Sequence, residues 1–152
     1  MKTEQLIKNI ETSNLPEEDK RMLKNLLKQN RFDEYLKLLF KLIGLGSVFW
    51  DWAFHNKYKI DIGNAIKTLR KQKKITQKQL AELCEISTNA LCSIETGQSF
   101  PSKTTISKIC ASLNIPESYL LLFSISEDDI PEDKKIYFRN FGEPLKKILI
   151  SD

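Results

Sequence analysis

The chain has 152 residues, of which 41% are hydrophobic and 29% are charged, and its formal net charge is +4. This length suits one domain, or one small domain with attached helices, and it is sufficient to bury a core. Only 5 glycines and 5 prolines interrupt the chain, so helix is the expected main structure. Acidic residues stand where a signal peptide has its apolar core, so we expect no export signal and a cytoplasmic protein.

The charge is spread unevenly along the chain. Residues 1–60 and 61–123 each carry a net charge of +3, whereas residues 124–152 carry −2. This balance permits a phosphate-rich partner without requiring one. The three cysteines, Cys84, Cys92 and Cys110, lack metal-ligand spacing and form no C-x-x-C pair. We interpret Cys84 and Cys110 as small buried hydrophobic residues in a reducing compartment, with no metal site and no cofactor required.

Residues 1–60 are predicted to form a helical N-terminal extension. Apolar residues recur at helical spacing in three segments. The first contains Leu6, Ile7 and Ile10 and closes before Pro16, the second has Pro16 near its first turn, and the third begins near Phe32 or Asp33. The second segment has three acids in its first turn, where they complement the helix dipole. The third segment is apolar around much of its circumference, which indicates burial, dimerisation or a partner.

Residues 35–54 are apolar enough to raise the alternative of a membrane anchor. The stretch ends in four aromatic side chains of the kind found at membrane interfaces: Phe49, Trp50, Trp52 and Phe54. Lys37, Lys41 and Asp51 interrupt it, and a spanning helix needs roughly 20 apolar residues. We therefore favour packing against helices or a second subunit, with helix termination at Gly44 and Gly46. The single histidine, His55, is interpreted as a surface residue.

The C-terminal part is predicted to be helical as well. A short apolar helix is expected from Ser118 to Phe123, where it caps the core or forms a dimer contact. An acidic tract precedes a helix predicted for residues 132–140, which offers Ile136, Tyr137 and Phe141 for burial. Gly142 is expected to stop this helix, and a last amphipathic segment follows. Residues 124–152 therefore form a predicted helical tail.

The pattern between residues 66 and 113 predicts a helix-turn-helix. Thr76 can cap a short helix that begins at Gln77, residues 85–87 form a tight turn, and residues 88–96 supply a second helix. The usual partner of such a pair is the major groove of DNA.

This stretch resembles the Cro/C1-type helix-turn-helix of phage repressors and many bacterial regulators, also called the XRE family. The resemblance covers residues 62–122 and is based on the pattern R-x(6)-Q-x-x-L-A-x(4)-I-S-x(3)-L-x-x-I-E-x-G-x(3)-P, which starts at Arg70. It implies an all-α fold: a five-helix domain like that of lambda repressor at residues 61–123, with helical extensions on both sides. One departure is Glu85, at a turn position where the family often has glycine.

The second helix of the motif is predicted to read bases. Leu91 and Ile94 are three residues apart and face inward, which turns Thr88, Asn89 and Ser93 outward. These three residues are the predicted base contacts, and the Asn89 amide could form a bidentate pair with adenine.

Phosphate contacts and one ion pair are also predicted. Gln77 stands at an exposed helix N-terminus, where a phosphate can meet free backbone N–H groups. The resemblance implies further backbone contacts in the loop after Gly97, and it implies a structural ion pair between Arg70 and Glu95. The complete set of predicted phosphate contacts is Gln77, Thr96, Gln98, Ser99 and Lys103.

Together these features predict a sequence-specific DNA-binding transcriptional regulator, a repressor that acts as a homodimer on a double-stranded operator. The alternative is an antitoxin or immunity-type protein whose extra helices bind a protein partner and whose helix-turn-helix serves autoregulation. No catalytic constellation can be assembled, so an enzyme is not expected.

Overall fold

The computed structural model describes residues 2–45, 49–56 and 59–151, and every regular element in these ranges is helical. The prediction of an all-α chain is confirmed. The first nine helices are α1 (Lys2–Glu11), α2 (Glu17–Lys28), α3 (Phe32–Leu42), α4 (Phe49–His55), α5 (Ile62–Gln72), α6 (Gln77–Leu83), α7 (Thr88–Glu95), α8 (Lys103–Leu113) and α9 (Glu117–Ser124). Short 3₁₀ turns at Glu127–Asp129 and Glu132–Lys134 lead into α10 (Lys135–Tyr137), a π-helical turn (Phe138–Gly142) and α11 (Glu143–Leu149).

The chain divides into two compact units. The first unit contains residues 1–52 together with residues 127–152, and the second unit contains residues 53–126. The N-terminal extension and the C-terminal tail, which the sequence presents as separate segments, are therefore parts of one unit. The second unit is inserted between them in the chain.

In the first unit, α1 packs against α2, the π-helical turn and α11, while α2 also packs against α3. The sequence pattern explains this arrangement, because α1 and α2 each present an apolar stripe at helical spacing. The largest fully buried side chains include Leu6, Ile10, Leu23, Leu27, Tyr35, Phe40, Phe138 and Phe141. Ile136, which the sequence offered for burial, remains 47% exposed, whereas Phe138, two residues further along the chain, is fully buried.

The predicted helix stop at Gly142 is wrong. Gly142 is buried and has φ −90° and ψ −53°, so the backbone continues directly into α11. Pro144 would clash with the carbonyl four residues earlier in a regular α-helix, and it lacks an N–H group. The wider π-helical turn, in which Glu143 N–H donates to Phe138 O, precedes the proline and allows the helical path to continue.

Two polar side chains connect the N-terminal helices to this turn. Asn9 Nδ2 donates to Asn140 O at 3.0 Å. In a regular α-helix this carbonyl would accept from the N–H of residue 144, which Pro144 lacks. Tyr35 Oη donates to Phe141 O at 3.1 Å in the buried interior. Burial raises the pKa of the Tyr35 hydroxyl well above its usual range, so it remains a hydrogen-bond donor. These two bonds satisfy the carbonyls that the irregular turn exposes.

Helix α3 ends as the sequence predicted, at a left-handed glycine. Gly44 has φ +87°, a conformation in which glycine costs least. The predicted turn at Gly46 and the side chains of Phe49, Trp50 and Trp52 lie outside the described residues. In the described part of the chain, no helix has the length and apolar character needed to cross a membrane.

The second unit contains α5 to α9. Helix α5 packs against α7, α8 and α9, and α6 packs against α7 and α8. The residue before α5 is bonded to the last residue of α9, because Asp61 N–H donates to Ser124 O at 2.9 Å. The Asp61 carboxylate also caps α5 by accepting from Asn64 N–H. The buried core includes Ile62, Ile66, Leu69, Leu80, Leu91, Ile106, Ile109, Leu113, Leu120 and Leu121. This five-helix packet fixes the position of α7.

Candidate nucleic-acid interface

Helix α6 begins with the cap that the sequence predicted. Thr76 Oγ1 accepts from Gln79 N–H at 3.1 Å, and Gln79 Oε1 accepts from Thr76 N–H at 2.8 Å. This reciprocal capping box satisfies two backbone donors and sets the start of the helix at Gln77. The side chains of Leu80 and Ala81 are buried, as expected for the inner face of α6.

The turn between α6 and α7 places a non-glycine residue in a left-handed conformation. Glu85 has φ +57°, which L side chains adopt at an energetic cost. Its carboxylate accepts from Lys108 Nζ at 2.8 Å, and this hydrogen bond holds the pKa of Glu85 below its usual value. Ile86 N–H donates to Ala81 O at 3.0 Å and closes the turn. The turn is therefore left-handed at this position although the residue is not glycine.

Helix α7 presents the three predicted base-reading residues on one face. Ser87 Oγ caps the helix by accepting from Ala90 N–H at 3.0 Å. Leu91 and Ile94 are buried, whereas Thr88 and Asn89 are exposed and Ser93 is half-buried. Among the residues that the structure describes, the side chains of these three form no hydrogen bond. Their donors and acceptors are thus available to a ligand.

A buried ion pair fixes the other end of α7. Arg70 Nε donates to Glu95 Oε1 at 2.7 Å, and Arg70 Nη2 donates to Glu95 Oε2 at 3.0 Å. The two side chains are only 10% and 2% exposed. The third guanidinium nitrogen, Arg70 Nη1, donates to Ile75 O at 3.0 Å. The pair therefore connects the end of α5, the loop before α6 and the end of α7 through bidentate geometry.

Gln77 belongs to the same network. Its Nε2 donates to Glu95 Oε2 at 3.0 Å, and its side chain is half-buried. One amide hydrogen is engaged in this bond, which leaves the other for the predicted phosphate contact. The bond also fixes the orientation of the Gln77 amide, because the Glu95 carboxylate accepts only from its nitrogen.

The loop after α7 folds back on the helix. Gly97 adopts φ +80°, and the N–H groups of Gln98 and Ser99 both donate to Ser93 O, at 2.9 and 3.1 Å. The side chains of Gln98 and Ser99 are exposed. Thr96 differs, because its hydroxyl donates to Cys92 O at 2.9 Å, so a phosphate contact by Thr96 requires that hydroxyl to rotate. Each of these contacts remains a prediction.

Sequence reasoning missed Gly63, in the first turn of α5. A Cβ added there would lie 2.2 Å from Ile94 O and 3.0 Å from Glu95 O. Only glycine permits α5 to approach the end of α7 so closely. The available signal was a glycine within a helical pattern, which usually has a packing reason.

Helices α5 to α9, with the capped helix α6, the turn at Glu85 and the exposed face of α7, define a helix-turn-helix DNA-binding domain. Residues 66–120 match the family model described as "Helix-turn-helix". The resemblance to Cro/C1-type domains is confirmed over this segment.

One curated relative supports the same class. The chain is similar to an immunity repressor protein of Bacillus phage phi105, with 37% identity over 60 residues. These residues are 40% of this chain and 42% of that protein, so the chain spans less than half the length of this relative.

Proposed function

We propose that the protein is a sequence-specific transcriptional regulator that inserts α7 into the major groove of DNA and represses transcription in the cytoplasm. The observation that carries this proposal is the face formed by Thr88, Asn89 and Ser93, which are polar, accessible and mounted on a rigidly held helix. A bidentate amide contact of Asn89 with adenine would provide roughly 1–3 kcal/mol of discrimination. The similarity to a phage immunity repressor supports repression as the mode of action.

Phosphate contacts would set the register of α7 on the duplex. Gln77 and the exposed Gln98 and Ser99 lie at the two ends of the motif, where backbone contacts orient the reading helix. A symmetric homodimer is the expected form, because one such domain reads a half-site and a two-fold operator matches a two-fold dimer.

The test compares Asn89→Ala with Gln98→Ala on a selected operator and on mixed-sequence DNA. Asn89→Ala is expected to weaken operator binding about 5- to 150-fold while mixed-sequence binding remains nearly unchanged. Gln98→Ala is expected to weaken both by the same factor, because a phosphate contact carries no sequence information. Equal loss on both DNAs for Asn89→Ala would show that α7 does not read bases at this position.

A second candidate function is supported by the first unit. A groove of about 530 Å³ lies between α1 and the end of α11, and Ile150 beside it is 41% exposed. An antitoxin or immunity-type protein would use such a surface to bind a protein partner. The decisive observation is genetic: expression of a neighbouring gene alone would stop growth, and co-expression of this protein would restore it. If no neighbouring product is toxic, this candidate fails.

A further inference from the structure

The positive charge of the chain is concentrated at the start of the second unit. Residues 62–81 contain six basic residues and no acidic residue. Because the formal net charge of the whole chain is +4, the other 132 residues together sum to −2. An anionic partner is therefore attracted to the segment that contains α5, the loop after it and most of α6.

Four exposed lysines of this segment form what we call the lysine surface: Lys67, Lys71, Lys74 and Lys78. The first two lie one turn apart on the side of α5 opposite its buried residues. Among the residues that the structure describes, none of the four ammonium groups forms an ion pair or a hydrogen bond. Lys108 in the same unit differs, because its ammonium bonds to Glu85. The charge of the lysine surface is thus available to a ligand.

Lys74 occupies a backbone position that favours glycine. Its φ is +57°, and this left-handed residue ends α5, where Ile75 N–H donates to Arg70 O at 3.2 Å. A lysine in this conformation costs stability that a glycine would not. Backbone strain of this kind is often found at functional sites, and here it presents a charged side chain without a protein partner.

The buried ion pair fixes the lysine surface relative to α7. Arg70 precedes Lys71 and bonds to Glu95 at the end of α7, and Gln77 bonds to the same carboxylate. When a helix-turn-helix docks, its first helix crosses the DNA backbone while its second helix lies in the major groove. Lys74 and Lys78 stand on either side of Gln77 in the sequence, so they approach the strand that α6 crosses.

We propose that Lys71, Lys74 and Lys78 bind phosphates of the DNA strand that α6 crosses, beside the half-site read by α7. This inference rests on the proposed function and adds contacts to the phosphate-binding residues predicted from the sequence. The base-reading residues of α7 are uncharged, so the lysine surface supplies electrostatic attraction that the reading face lacks.

The test uses the whole chain and the variants Lys71→Gln, Lys74→Gln, Lys78→Gln and their triple combination. Glutamine removes the charge and has a helix propensity close to that of lysine. Lys28→Gln is the matched control, because it removes an exposed lysine from α2 in the first unit. Affinity for a mixed-sequence duplex is measured as a function of salt, and thermal unfolding shows whether each variant is folded.

A second measurement needs no substitution. The wild-type protein is acetylated with and without the duplex, and mass spectrometry reports the extent of reaction at each lysine. A lysine that contacts a phosphate is protected by the duplex. Protection is expected at Lys71, Lys74 and Lys78 and is not expected at Lys28.

One phosphate contact contributes a slope of about 0.9 in log affinity against log salt, which corresponds to roughly eightfold in affinity at about 0.1 M salt. Each single variant should lower the slope by about 0.9 and the triple variant by about 2.7. The control variant should keep the wild-type slope.

Two results would overturn the inference while DNA binding stands. The first is a folded triple variant whose salt slope equals that of the wild type or of Lys28→Gln. The second is equal acetylation of the three lysines with and without the duplex, which would instead favour an acidic protein as the partner of this surface. If the wild-type protein does not bind the duplex even at low salt, the proposed function fails and the inference fails with it.

Discussion

Replacement of Arg70 by methionine tests the buried ion pair that fixes α7. The substitution removes two hydrogen bonds to Glu95 and one to Ile75 O. The Glu95 carboxylate, which is 2% exposed, then keeps Gln77 Nε2 as its side-chain donor. Breaking a buried pair on one side costs about 3–5 kcal/mol, because the remaining charge is uncompensated. We expect Arg70→Met to lower the free energy of unfolding by this amount.

The double variant Arg70→Met/Glu95→Leu separates the pair from its surroundings. Apolar replacement of both partners removes the buried charge, so the free energy of unfolding of the double variant should be within about 1–2 kcal/mol of the wild-type value. The remaining difference comes from the lost bonds to Ile75 O and Gln77. Urea unfolding followed by circular dichroism measures these differences, with a second probe to test whether the transition is two-state. Lys108→Met is the matched control, because it breaks an exposed pair in the same unit and should change little. The reasoning is refuted if Arg70→Met is within about 1 kcal/mol of wild type, or if the double variant is no more stable than Arg70→Met.

Two further substitutions test close contacts elsewhere. Gly63→Ala should destabilise the second unit by about 1–3 kcal/mol, since the added methyl group would lie 2.2 Å from Ile94 O, and thermal unfolding measures the change. Asn9→Ala should cost about 1 kcal/mol by leaving Asn140 O unpaired, and this cost should fall in a Pro144→Ala background, where residue 144 supplies an N–H group. Urea unfolding of the two single variants and the double variant completes this cycle.

Each of these substitutions has an internal comparison. Asn64→Ala is the control for Gly63→Ala, because it adds no atom near α7 and removes only an exposed side chain. A Gly63→Ala protein as stable as this control would mean that α5 and α7 separate without cost. If the effects of Asn9→Ala and Pro144→Ala on the free energy of unfolding simply add, Asn9 does not compensate for the N–H group that Pro144 lacks.

Local signals in the sequence predicted much of the second unit. The cap at Thr76 depends on residues within three or four positions, so the sequence pattern contains the necessary information. The burial of Leu91 and Ile94 follows from their i, i+3 spacing within one helix, so it also depends only on nearby residues. These features were predicted correctly for that reason.

Contacts between distant residues could not be predicted in the same way. The bond from Gln77 to Glu95 and the approach of Gly63 to Ile94 depend on how helices cross, which periodicity does not encode. The intrinsic preference of glycine predicts a helix stop at Gly142, yet this residue is buried and helical because packing overrides that preference.

The first unit illustrates the same limit on a larger scale. Amphipathic periodicity identifies the apolar faces of α1 and α11. It does not show that these two helices, which lie near opposite ends of the sequence, pack against each other. Two side-chain bonds at the π-helical turn, from Asn9 and Tyr35, are consequences of that meeting. They became visible only in the folded structure.

The most direct test of the central claim is a selection of bound DNA fragments, performed in parallel with the wild-type protein and with Asn89→Ala. The account predicts that the wild-type protein enriches one shared motif with two-fold symmetry and that Asn89→Ala loses the preference at one position of each half-site. Enrichment of no shared motif, or of the same motif by both proteins, would contradict the claim that α7 reads the operator.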